Sequence, residues 1–239
     1  MSLLLFYQPT IDLAAGSLDA EESRHCVKVL RKQTGDIIHV VDGRGTFYES
    51  RITDANLKQC RFEVLRRWQE PPLSYRIHLA IAPTKNLDRT EWLVEKAVEI
   101  GVDEISFIEC AHSERRVLKP ERIEKKAVAA MKQAQRATLP LLTPLTPFSL
   151  FLNHPTPNAQ HFMAYVNPAN TLHLAQAAEP HRSYVVLVGP EGGFSPEEVA
   201  LAQQHQYTLV SLGDYRLRTE TAGLVACHTL QLVNTVTEN

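Results

Sequence analysis

The chain changes rhythm at Pro71-Pro72, and that break limits what it can fold into more than any other feature. Neither proline can sit in a helix interior or a central strand, so Trp68-Gln-Glu-Pro-Pro-Leu73 reads as a linker. Downstream of it, strand-like and helix-like patterns alternate. Ile77-His-Leu-Ala-Ile-Ala82 and Tyr184-Val-Val-Leu-Val188 are near-continuous apolar runs, as expected of strands buried on both faces. Asp88 with Glu91 reads as a variant capping box opening a helix that Gly101 ends. Glu104-Ile-Ser-Phe-Ile108 reads as the next strand. Pro120 opens a helix whose apolar stripe is Ile123, Ala127, Met131 and Ala134. Residues 138–182 hold seven prolines and one strand candidate, His161-Phe-Met-Ala-Tyr-Val166. Ser195-Pro-Glu-Glu198 is a capping box with proline at the first helical position, Thr208-Leu-Val-Ser-Leu212 is a strand, and a helix from about Glu220 to Val236 follows. This alternation predicts an α/β domain over residues 74–239, with a mostly parallel sheet covered by helices on both faces.

Residues 1–70 read differently. Ile37-Ile-His-Val-Val41, Gly45-Thr-Phe-Tyr-Glu-Ser-Arg-Ile52 and Cys60-Arg-Phe-Glu-Val-Leu65 are short, rich in β-branched and aromatic residues, and punctuated by Asp and Asn. Asp42-Gly-Arg-Gly45 is a hairpin-turn candidate, and one helix from about Glu21 to Lys32 interrupts the strands. A small barrel-like module appended to the α/β domain fits this pattern.

Charge is informative only locally. Net charge is −2, but residues 1–70 carry ten basic and ten acidic side chains, 71–150 carry twelve and ten, and 151–239 carry three and seven. Any basic patch therefore belongs to the first 150 residues. Cys26, Cys60, Cys110 and Cys227 form no C-x-x-C pair, so a metal site and a disulfide framework are both unexpected. Leu3-Leu-Leu-Phe6 is too short for a signal segment, no run reaches the length of a membrane span, and the expected location is cytoplasmic.

Two loops stand out as candidate pocket walls. Gly189-Pro-Glu-Gly-Gly193 follows the strongest strand, and Leu212-Gly-Asp-Tyr-Arg-Leu-Arg-Thr-Glu-Thr-Ala-Gly223 follows the last one. Glycines let backbone approach a ligand, and open α/β sheets bind ligands at the carboxyl ends of their strands. The first loop lacks the lysine and spacing of a Walker loop and the G-x-G-x-x-G of a dinucleotide site. Glu191 is either a solvated carboxylate or faces a ligand. Arg216, Arg218 and Glu220 alternate at a spacing of two, which suits either a salt-bridged surface loop or, through the planar fork of Arg218, recognition of phosphate or carboxylate.

Taken together, these loops resemble those of the SPOUT methyltransferases, and more narrowly the bacterial 16S ribosomal RNA (uracil-N3) methyltransferase family. Arg24-His-Cys-Val-Lys-Val-Leu-Arg31 with Gly35-Asp36 resembles that family's PUA-like N-terminal domain. Glu91-Trp-Leu-Val-Glu-Lys-Ala-Val-Glu-Ile-Gly-Val102 resembles its first long helix, and Ser113-Glu-Arg115 a following loop. The resemblance implies a PUA-like β-barrel over 1–70 and a SPOUT domain over 74–239 threaded as a deep trefoil knot. It implies S-adenosylmethionine bound by three loops, through Tyr165 and Val166 of the segment ending at Pro168, through Leu187, Gly189, Pro190, Glu191, Gly192 and Gly193, and through Leu212, Gly213, Leu217 and Thr221. It further implies a homodimer acting on 16S rRNA or the small ribosomal subunit, with Arg218 holding a phosphate or developing negative charge and Glu220 orienting it. The usual arginine position of the last loop reads Tyr215 here, which places Arg218 ahead of Arg216 as the chemical residue. Around Lys132-Gln-Ala-Gln-Arg136 the chain also departs from the family's usual Glu-Gln followed by Gly-Arg.

For RNA contact two basic clusters are candidates. Arg24, His25, Lys28, Arg31 and Lys32 belong to the first helix, and Arg115, Arg116, Lys119, Arg122, Lys125 and Lys126 form the second cluster. Alternative readings keep the cofactor but move the target to a tRNA base or a ribose 2′-hydroxyl, or leave the pocket empty in an RNA-binding assembly factor.

Overall fold

The computed structural model describes residues 3–167 and 170–235. The chain divides into two compact units, Met1–Pro72 with Val128–Leu139, and Leu73–Ala127 with Pro140–Asn239.

The first unit is a five-stranded sheet with β1 (Leu5–Tyr7), β2 (Gly16–Ser17), β3 (Ile37–Val41), β4 (Thr46–Asp54) and β5 (Arg61–Gln69) in the order β1-β3-β4-β5-β2. It curls into a half-barrel, with β1 and β2 as its edges. Alternation along the strands turns Phe6, Ile38, Val40, Ile52 and Phe62 into one core, together with Cys26 and Cys60. The expected turn at Asp42 is present: its side chain accepts from the backbone N–H groups of Arg44 (2.8 Å) and Thr46 (3.1 Å), and Gly43 and Gly45 take φ of +75° and +93°. Trp68 lies within β5 rather than in a linker. The helix is shorter than expected: α1 (Ala20–Arg24) passes into a π-helical turn, His25–Val29, and Arg31 then takes a φ of +56°. The segment Val128–Leu139 joins this unit through Glu70, which accepts from Ala137 N–H (2.9 Å) and Thr138 Oγ1 (2.6 Å).

The second unit is a six-stranded, all-parallel sheet. In chain order it holds β6 (Arg76–Ile81), α2 (Leu87–Ile100), β7 (Glu104–Glu109), the start of α3 (Pro120–Gln133), whose residues from Val128 on belong to the first unit, then β8 (Leu141–Pro147), α4 (Phe148–Leu152), β9 (Ala159–Ala164), α5 (Leu174–Ala177), β10 (Ser183–Val188), α6 (Pro196–Gln204), β11 (Thr208–Val210) and α7 (Thr219–Thr235). Their order is β11-β9-β10-β6-β7-β8. Thus β10 enters between β6 and β9, both of which precede it in the chain.

Side chains alternate to both faces. Ala80, Val185 and Leu187 pack with Phe148, Leu152, Val199 and Ala202 of α4 and α6. Leu79 and Ile81 face the other way, toward Leu93 of α2 and Gly223 of α7. A Cβ at Gly223 would lie 2.8 Å from the Ile81 and 3.0 Å from the Leu93 side chain, so glycine lets α7 lie against the sheet. The cap of α2 is Asn86, which accepts from Asp88 N–H, two residues before the expected Asp88, and Gly101 ends the helix with φ +108°. The proline-rich stretch hides β8, whose Pro144 and Pro147 are tolerated because it is an edge strand. The final helix is described to Thr235, so the expected end at Val236 falls outside the described residues.

Candidate functional site

Register brings the strand ends to one level. Ala164 of β9 pairs with both Val188 of β10 and Val210 of β11, and Val188 pairs in turn with Ile81 of β6. The loops that begin at Tyr165, Gly189 and Ser211 therefore leave the sheet side by side, at its carboxyl edge. Three segments scattered over some fifty residues thus come together as the walls of one candidate site.

Each wall is built from its own residues. Leu187 is fully buried in β10, and the chain turns after it, with Gly193 N–H donating to Pro190 O (2.8 Å) and Gly193 at φ +75°. A Cβ at Gly189 would press against the Phe194 ring at 3.0 Å, so the turn is tight there. The turn runs directly into α6, where Ser195 and Glu198 form the expected reciprocal capping box. In the last loop Gly213 takes φ +131°, and Ser211 Oγ braces it by contacts of 3.1 and 3.2 Å to its O and N. Leu212 and Leu217 are half-buried there, and Thr221 is half-buried in α7. Tyr165 N–H donates to Val210 O (3.1 Å) and its ring packs on the core, whereas Val166 is exposed. Pro168 lies outside the described residues.

Glu191 ties these walls together. Its Oε1 accepts from the backbone N–H of Lys85 (3.0 Å), after β6, and its carbonyl accepts from the Arg216 guanidinium (3.1 Å), after β11. Thr219 Oγ1, at the start of α7, donates to Gly189 O at 3.1 Å. The solvated reading of Glu191 thus gives way to a bracing one. The backbone N–H groups of Gly192, Leu212 and Leu217 donate to no other described residue, and they remain available to a ligand's acceptors.

The two residues proposed for the chemistry sit differently from each other. Arg218 is exposed, and its guanidinium makes no hydrogen bond or ion pair among the described residues. Glu220 is buried, with Oε1 at 3.7 Å from Arg89 Nε of α2 and Oε2 unpartnered. The structure pairs Glu220 with Arg89 and not with Arg218, because residue 218 precedes α7 while residue 220 lies in its first turn. No sequence signal marks Arg89 for this role, which arises only because α2 packs against α7.

The basic clusters divide as well. Arg24 and Lys28 are exposed, His25 tilts against Phe6, Arg31 follows the helix end, and Lys32 Nζ donates to Ile37 O at 3.3 Å. Arg115 donates to the carbonyls of Thr84 and Lys85 and so braces the loop after β6, Arg116 pairs with Glu109 (3.1 Å), and Lys119 is exposed. Among the described residues no cluster of His, Cys, Asp and Glu is arranged to hold a metal ion, and no helix is long and apolar enough to cross a membrane. A separate shallow hollow of about 330 Å³ lies at the opposite edge of the sheet, where Ala159 and Thr208 begin their strands; it carries no charged side chain. The braced loops, not that hollow, have the build of a site.

Comparison with known proteins adds the following. Residues 70–231 match the family described as RNA methyltransferase domain, and residues 18–65 match the RNA methyltransferase PUA domain. The crystal structure of a probable rRNA methyltransferase from Porphyromonas gingivalis is similar at 43% identity and a TM-score of 0.87, covering 96% of this chain and 98% of that one. A ribosomal RNA small subunit methyltransferase E from Neisseria gonorrhoeae, bound to S-adenosyl methionine, is similar at 27% identity and a TM-score of 0.87, covering 97% and 98%. The protein of the same name from Mycobacterium bovis is 30% identical, over 95% of this chain and 90% of that protein.

Proposed function

Since the chain belongs to the RNA methyltransferase family, we propose that it transfers a methyl group from S-adenosylmethionine to N3 of one uridine in 16S rRNA. It does so in the cytoplasm, as a homodimer, on the small ribosomal subunit or its rRNA. Residues 1–70 serve as the PUA-like RNA-binding module and 74–239 as the SPOUT catalytic domain.

The observation that carries this reading is the level exit of three loops, whose N–H groups at Gly192, Leu212 and Leu217 and whose Arg218 guanidinium have no partner among the described residues. The cradle suits the cofactor. Glycines keep side chains out of it, Gly192, Leu212 and Leu217 offer donors to adenine or carboxylate acceptors, and the half-buried Tyr165 supplies apolar surface. When bound, S-adenosylmethionine supplies an electrophilic methyl group.

The chain's own residues must do the rest. Uracil N3 carries an imide proton, so it becomes a nucleophile only as that proton leaves and the remaining anion is stabilised. Arg218, whose guanidinium is unpaired among the described residues, presents its planar donors to a phosphate or to that anion. Glu220 is held by Arg89 at the start of α7, with one oxygen left to accept a proton or a hydrogen bond. The N3 edge is engaged in Watson–Crick pairs, so the target uridine must be unpaired or extruded. Arg24, Lys28 and Lys119 contribute sequence-independent attraction to the RNA backbone.

Nucleoside mass spectrometry tests the proposal. 16S rRNA from a strain lacking the gene should miss one 3-methyluridine, and the purified protein with S-adenosylmethionine should restore it. Restoration of a different nucleoside, or of a ribose methyl group, would overturn the assignment.

A further inference from the structure

A fourth strand end reaches the glycine loop. The turn after β7 is locked on itself, with Cys110 N–H donating to Ser113 Oγ (2.9 Å) and Ser113 N–H donating to Cys110 O (3.0 Å). From this turn two residues project onto the loop after β10. Ala111 N–H donates to Glu198 Oε1 at 2.7 Å, and His112 Nδ1 lies 3.1 Å from Gly193 O. The fit is tight: a Cβ on Gly192 would come within 2.8 Å of the His112 Cβ. On its far side the same segment is anchored to the loop after β6 by Arg115, which donates to Thr84 O at 3.0 Å.

We propose that the Cys110–Arg115 turn is a further wall of the cofactor site, and that His112 is a positioning residue for it. A carbonyl can only accept, so His112 Nδ1 carries the hydrogen, and that bond fixes the direction of the Gly193 carbonyl. Gly193 sits at φ +75°, where its peptide planes have more freedom than any other residue allows. His112 removes that freedom at the glycine whose neighbour, Gly192, offers an unpaired N–H to the ligand. It acts through the loop and touches no reacting atom. The inference rests on the cofactor reading above.

Side-chain geometry supplies the test. Asparagine places an amide nitrogen where Nδ1 stands, whereas glutamine carries it one atom farther, where Nε2 stands. S-adenosylmethionine binding by calorimetry, and KM and kcat for methylation, are measured for the full chain and for His112→Ala, His112→Asn and His112→Gln. Loss of one net hydrogen bond and its packing should weaken binding and raise KM about five- to tenfold in His112→Ala, with kcat at saturating cofactor held within about twofold. His112→Asn should recover the affinity and His112→Gln should not, with the thermal midpoints of all three within about 2–4 °C of the unaltered protein. An alanine variant that binds like the unaltered protein, or a glutamine variant that recovers as fully as asparagine, would overturn the role of His112. Absence of binding by the unaltered protein would refute the cofactor reading itself, and the inference with it.

Discussion

Two arginines two residues apart have opposite assignments in this fold. Arg216 is spent on structure, since its guanidinium donates to the Glu191 carbonyl and so joins the loop after β11 to the glycine loop. The Arg218 guanidinium has no partner among the described residues, and the substrate role proposed for it rests on that. The two alanine substitutions should therefore separate. Arg218→Ala should leave cofactor affinity and thermal midpoint unchanged while lowering kcat on the order of 10²-fold, the scale for removing one donor to a developing anion. Arg216→Ala should weaken S-adenosylmethionine a few-fold, roughly the loss of one solvent-accessible charge-assisted bond, and leave kcat at saturation nearly intact. Calorimetry beside steady-state kinetics distinguishes them, and reversed effects would mean that the two roles are exchanged. Spacing alone could not assign these roles. Residues 216 and 218 share a side of an extended loop, and only the position of the Glu191 carbonyl decides which is consumed.

Among the elements, α6 matters most to the site, because its cap and the glycine loop are one continuous piece of backbone. Ser195 Oγ accepts from Glu198 N–H (3.2 Å), and Glu198 Oε2 accepts from Ser195 N–H (2.8 Å). The second oxygen of Glu198 also holds Ala111 N–H, so this carboxylate joins two strand-end loops. Ser195→Ala should cost about 1 kcal/mol, as N-cap losses do, and lower the thermal midpoint by about 2–4 °C. Glu198→Ala should cost more, because it frees a donor in a second loop as well; an equal or smaller drop would show that the Ala111 contact contributes nothing. This element was readable from sequence, since Ser-Pro-Glu-Glu carries its own start signal, and so were β6, β10 and the α2 stop at Gly101. What was hidden follows a physical rule. The edge strand β8 holds Pro144 and Pro147, which argue against a strand unless one already knows that it lies at an edge. The π-helical turn at His25–Val29 leaves no mark in a 3.6-residue pattern, so the helix was expected to run to Lys32. The loops were legible as glycine-rich strand ends, but His112, Arg89 and Thr219 were not. Their roles depend on which strands are neighbours, and β10 lies beside β6 although about a hundred residues separate them.

At the scale of the whole molecule, the parallel sheet buries one group whose protonation bears on global stability. His78 sits on β6, its Nε2 2.8 Å from Ser106 Oγ and 3.5 Å from Glu104 on β7, with Phe151 edge-on to its ring and Nδ1 unpartnered. Glu104 favours the imidazolium, but burial outweighs it, and with the nearby His161 and Arg76 it holds His78 down at about 4. An unfolded chain would titrate this histidine near 6.5. Between those values the unfolded state binds a proton that the folded state refuses, so stability is fully present above 6.5 and falls as pH drops toward 4. The loss from this one residue should approach about 3 kcal/mol. Burial acts on His161 in the same direction, whereas it raises the Glu104 carboxyl, which gives a slope of opposite sign around the ordinary carboxylate range. Urea unfolding at pH 7.5, 6, 5 and 4 should show a midpoint that declines across this interval, and His78→Gln, which keeps a partner for Ser106 but cannot take up the proton, should flatten the decline. A midpoint independent of pH in the unaltered protein, or an equally steep decline in His78→Gln, would place the acid sensitivity elsewhere in the molecule.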